Sequence, residues 1–123
     1  MTQDNLAAIL SAFVLMTHGA AADPAVIEAA EARQSGGAWR FDVTLSHGDT
    51  GWDDYADGGR VVTEDGEVLG PRQLPHPQVK EQPFTRSLSG VTIPDGTETV
   101  YVEARTNVGG WDTARFPVTL PTD

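Results

Sequence analysis

Cysteine is absent from all 123 residues, which excludes disulfide bridges, thiolate metal ligands, c-type haem attachment and lipid anchoring through an N-terminal cysteine. Positive charge is scarce as well: eight Lys and Arg stand against eighteen Asp and Glu, for a net charge of -10. A surface of that sign repels a phosphate backbone or an anionic lipid layer, so nucleic acid and membrane-surface partners are excluded. Long apolar runs are missing too. LAAILSAFVLM, from Leu6 to Met16, falls well short of the roughly 20 residues that a bilayer-spanning helix needs. No His-x-His or His-x-x-x-His pair occurs, nor a Gly-x-Ser-x-Gly elbow or a phosphate-binding loop, and these absences argue against an enzyme.

What is present begins with that short apolar run. It is followed by Ala20, Ala21 and Ala22, the small side chains that signal peptidase requires, and the pattern predicts a leader over residues 1–22 cleaved before Asp23. Against it, MTQDN carries no Lys or Arg and includes Asp4, so an N-terminal helix belonging to the fold is the competing reading. After processing, residues 23–123 form one domain, periplasmic or secreted, with no stable membrane insertion, standing on its core alone.

Within that domain WRFDVTLS alternates, with Trp39, Phe41, Val43 and Leu45 on one face and Arg40, Asp42, Thr44 and Ser46 on the other, as a half-buried strand does. VIEAAEAR favours a helix by propensity, but the Gly36-Gly37 turn pairs it with WRFDVTLS as a strand. Glu64-Asp65-Gly66 marks a hairpin. The proline-rich PRQLPHPQVKEQP belongs on a sheet edge or in a loop. FTRSLSGVTIP, TVYVEART and TARFPVTL complete about seven short strands, which predicts an all-β, antiparallel immunoglobulin-like sandwich.

SLSGVTIPDGTETVYVEARTNVGG, residues 87–110, resembles the segment of fibronectin type III domains in which leucine and glycine precede a proline-glycine turn and an alternating strand ends in asparagine and glycine. VYVEARTNVGGWDTARFPVTL resembles the final hairpin of bacterial immunoglobulin-like domains. One departure is that Thr99 stands where the corner tyrosine is expected, with Tyr101 two places on. HGDTGWDDYADG and HPQVKEQPFTRSL resemble a group of small uncharacterised exported bacterial proteins. The resemblance implies an independent exported β-sandwich, monomeric, and no particular chemistry.

The stretch HGDTGWDDYADGG, residues 47–59, concentrates the candidate chemistry. Counted from Asp53, it partly fits a helical-hand calcium loop, but Tyr55 and Arg60 break the pattern and strands flank it where helices are required. A single ion, calcium, zinc or copper, remains possible through His47, Asp49, Asp53, Asp57, His76 and Glu81, with Asp54 a further oxygen donor. No other cofactor is implied. Adjacent carboxylates such as Asp53 and Asp54 point to opposite sides of an extended chain and make a poor acid-base pair. Trp52, Tyr55 and Trp111 are the candidate binding residues, since exposed rings stack on sugars or anchor a protein partner. Trp52 is weighted slightly toward folding back over the end of the sandwich as a plug.

Overall fold

The computed structural model describes residues 23–121. The leader expected over residues 1–22 lies outside the described residues. Those described are all β, in eight strands with antiparallel pairing throughout and no helix.

β1 (Val26–Ser35) and β2 (Ala38–Ser46) form a hairpin. Gly36 and Gly37 close it at φ 61° and 85°, values that glycine adopts at low cost and other residues do not. That turn overrides the helix propensity of VIEAAEAR. β1 pairs with β2 from Val26 opposite Ser46 to Ser35 opposite Ala38, whereas so short a helix would be marginal in water. β5 (Phe84–Val91) takes the other edge of β2 and completes a three-stranded sheet in the order β1-β2-β5.

In the second sheet β3 (Ala56–Val62) lies between β4 (Val68–Gln73) and β6 (Thr99–Thr106). The far edge of β6 is shared by β7 (Gly110–Trp111) and β8 (Phe116–Thr119). About seven strands were expected, and β7 is the addition. Trp111 pairs with Arg105 directly after the turn at Gly110, so the final edge begins earlier than TARFPVTL suggests and runs in two pieces. The β3–β4 hairpin turns at Gly66, φ 94°, in the expected Glu64-Asp65-Gly66. Residues 74–83, the bulk of the proline-rich stretch, form no strand.

The two sheets face one another across a shared core. Phe41 and Val91 from the first meet Val61, Val100, Val102 and Val118 from the second, with Leu120 closing the cluster. Side-chain alternation follows the pleat: Val100, Val102, Ala104 and Thr106 are buried in β6 while Tyr101, Glu103 and Arg105 face outward. On β2, Phe41 and Leu45 are buried, and Trp39 and Val43 pack half-buried beside them. A second cluster, Ala25, Leu45, Ala56, Leu74, Phe84 and Ala104, fills the end of the molecule where β2 runs out and β3 begins. The 47–55 connection closes that end.

Candidate functional site

The 47–55 connection is built on a buried pair. His47 Nδ1 lies 2.6 Å from Asp49 Oδ1, with the two side chains only 2% and 0% exposed. Asp49 binds further: Oδ1 accepts the Ala56 backbone N–H at 3.1 Å and Oδ2 accepts that of Gln78 at 2.7 Å. One carboxylate therefore ties the end of β2, the start of β3 and the proline-rich loop together. The Gln82 side-chain oxygen accepts the His47 backbone N–H at 2.9 Å, and His47 Nε2 lies 3.1 Å from the Asp23 carbonyl oxygen. Buried polar groups are normally hydrogen-bonded in this way, since an unpaired one is costly.

On that frame stands an aromatic cluster. Trp52 is 62% exposed, so it does not fold back as a plug; His47 and Asp49 occupy the end of the core instead. Its ring meets Tyr55 edge to face, centroids 5.6 Å apart at 79°, and His76 likewise, 5.9 Å apart at 74°. Asn107 fixes the loop from the β6 side, accepting the Tyr55 N–H at 2.9 Å and donating to the Trp52 carbonyl at 3.0 Å. Two segments distant in sequence, at His76 and Asn107, thus join Tyr55 of the same loop in holding one exposed indole in place. Asn107, Gln82 and Asp23 were not singled out from the sequence, because their roles depend on contacts 24 to 55 residues away.

The six candidate metal ligands are dispersed. His47 and Asp49 are bonded to each other, and each ring nitrogen of His47 faces a protein oxygen. Asp57 accepts a hydrogen bond from Arg105 at 3.0 Å, Glu81 is 3.5 Å from Arg86, His76 lies against Trp52, and Asp53 is exposed. Among the described residues, no group of three or more His, Cys, Asp or Glu side chains could hold a metal ion.

Trp111 belongs to another surface, the outer face of the second sheet. The Arg60 guanidinium lies 3.8 Å from the centre of its ring and that of Arg105 6.0 Å, the geometry of cation–π stacking. Arg115 lies 4.9 Å from the ring centre of Tyr101, and Arg60 and Arg115 both bind Glu103, at 2.8 and 3.0 Å. Burial works against ionisation of Glu103, yet the hydrogen bonds from Arg60 and Arg115 outweigh it and hold its carboxyl below the usual range. On the first sheet the Ser87 hydroxyl, aided by Arg40 against the smaller effect of burial, holds Asp42 below its usual value.

No family model and no solved structure matches the chain. A protein described as "Putative lipoprotein" from Halomicrobium mukohataei is 42% identical over 76 residues, covering 62% of this chain and 37% of that relative. The chain thus spans little more than a third of the relative's length.

Proposed function

We propose that the chain is an exported, non-catalytic binding or accessory domain, monomeric and periplasmic or secreted, which presents Trp52, Tyr55 and His76 to a protein or carbohydrate partner. The observation that carries this reading is the exposure of Trp52 on a loop pinned by buried hydrogen bonds, since a large ring exposed on a rigid frame is a ready anchor. Export draws support from the leader pattern of residues 1–22 and from the description of the relative as a lipoprotein. With no cysteine in these residues, attachment of a lipid through a thioether would have no site among them.

The fold reading is an immunoglobulin-like sandwich of the fibronectin type III kind. In the constant-type immunoglobulin arrangement the first, second, fifth and fourth strands share one sheet, with the third, sixth and seventh in the other. Here the order β1-β2-β5 opposes β4-β3-β6 with the last strand beside β6. The fourth strand has moved to the opposite sheet, and the rest of the order is kept.

The test is tryptophan fluorescence titrated with soluble chito-, cello- and manno-oligosaccharides, alongside a photocrosslinker at position 52 in cells. A saturable change that Trp52→Ala weakens at least tenfold, at unchanged melting temperature, supports a carbohydrate ligand. A discrete crosslinked protein at position 52 supports a protein partner. The absence of both responses would sink the proposal.

A further inference from the structure

The Asp54 side chain is 37% exposed, but its Oδ1 points inward, buried and with no hydrogen-bond partner. The nearby ring nitrogen of His47, Nε2, is 3.7 Å away, beyond hydrogen-bond reach, and is already 3.1 Å from the Asp23 carbonyl oxygen. Among the described residues no Lys or Arg forms an ion pair with Asp49 or Asp54. Two carboxylates therefore flank one imidazole at this end of the molecule, and one carboxylate oxygen is left without a donor. Leaving such an atom buried and unpaired is unfavourable.

The main chain at Asp23 lies against the same imidazole, and Asp23 is where the sequence pattern begins the processed chain. We propose that cleavage before Asp23 creates the missing donor: the α-ammonium released there pairs with Asp54 Oδ1 and fastens the Trp52 loop to the start of β1. Water adds across the Ala22–Asp23 amide, its hydroxyl passing to the Ala22 carbonyl carbon as the C–N bond breaks. The Asp23 nitrogen takes up protons, and a neutral amide with one N–H becomes an ammonium with three. That nitrogen shares its Cα with the carbonyl already touching His47. Pro24 fixes its own φ and holds the preceding Asp23 to an extended backbone, and Ala25 is buried at 4% exposure, so the segment is anchored beside His47. Processing then supplies a cation beside Asp54 and steadies the loop that carries the exposed indole.

The inference rests on the export reading above, and the two fail separately. Among the described residues every strand and both core clusters lie within residues 25–120, so a chain beginning at Asp23 retains all of them. Melting temperatures are compared for a chain beginning at Asp23, the same chain acetylated at its N-terminus, and one with two glycines before Asp23. The free terminus should melt higher by on the order of 4 °C. Asp54→Asn should bring it down to the level of the capped chains and leave those unmoved. Equal melting of the free and capped wild-type chains overturns the pairing without recourse to any variant. A difference that survives Asp54→Asn overturns Asp54 as the partner. Mass spectrometry of the exported protein gives its first residue; a start other than Asp23 overturns the processing step and this proposal with it, whereas a start at Asp23 with equal melts leaves the export reading standing.

Discussion

Asp49 shows how one buried side chain can set the position of another that is exposed. Its two carboxylate oxygens accept from Ala56 and Gln78 and meet His47, all within 3.1 Å, and truncation leaves these groups buried and unpaired. Asp49→Ala should therefore destabilise the protein by about 3 kcal/mol, the cost of opening a buried charged network, measured by urea denaturation. A loss below about 1 kcal/mol would show that water replaces the carboxylate there. Trp52→Ala should cost less than about 0.5 kcal/mol, as a surface change does, and so separates binding from folding. The sequence carried the residue types of this site but not their roles. His47 and Asp49 are two positions apart, a spacing that suits a ligand pair as well as a structural one, and only Gln78, Gln82 and Asp23, brought in from distant segments, make it structural.

The strands were legible where one face is buried and the other wet, because a period of two is then written directly in side-chain polarity. β6 is the clearest case, with Val100, Val102 and Ala104 inward and Tyr101, Glu103 and Arg105 outward. β1 is harder, since its alanines suit either conformation and the decision lies in a glycine turn beyond its end. β7 is too short to show any period, and cross-strand pairing alone defines it. On the outer face of β6, Glu103 joins Arg60 on β3 to Arg115 ahead of β8 with its side chain 12% exposed. Because its carboxyl titrates lower in the folded state, the pairing stabilises fully above the unfolded value, roughly 4.3, and is lost as pH falls through the folded value. Glu103→Gln should lower stability at pH 7 by about 1–2 kcal/mol and flatten the fall in stability below about pH 5. Urea midpoints at pH 7, 5, 4 and 3 test both; an unchanged acid limb would remove Glu103 from the account. At Gly70, a Cβ would come within 3.1 Å of Leu88 and 3.2 Å of Val91. Gly70→Ala should therefore cost about 1 kcal/mol through crowding between β4 and β5, and a neutral result would mean that Leu88 can shift.

At the scale of the whole molecule, the net charge of -10 acts on stability through self-repulsion, which the compact state feels more than the extended chain. The arginines on the outer face of the second sheet are engaged by Glu103 and Asp57, whereas Asp53, Glu64 and Asp65 lie exposed with no ion pair among the described residues. Salt screens such exposed charges far more than the half-buried pairs, with the Debye length falling from about 10 Å at 0.1 M to about 3 Å at 1 M. Melting temperature should accordingly rise by several degrees between these concentrations, equally in NaCl and KCl. Asp53→Asn, Glu64→Gln and Asp65→Asn combined should melt higher than wild type in 0.1 M salt and gain less from added salt, because less repulsion remains to be screened. A parallel salt response in wild type and triple variant would place the effect on apolar burial instead, which salts also strengthen, and would make the acidic excess a matter of solubility alone.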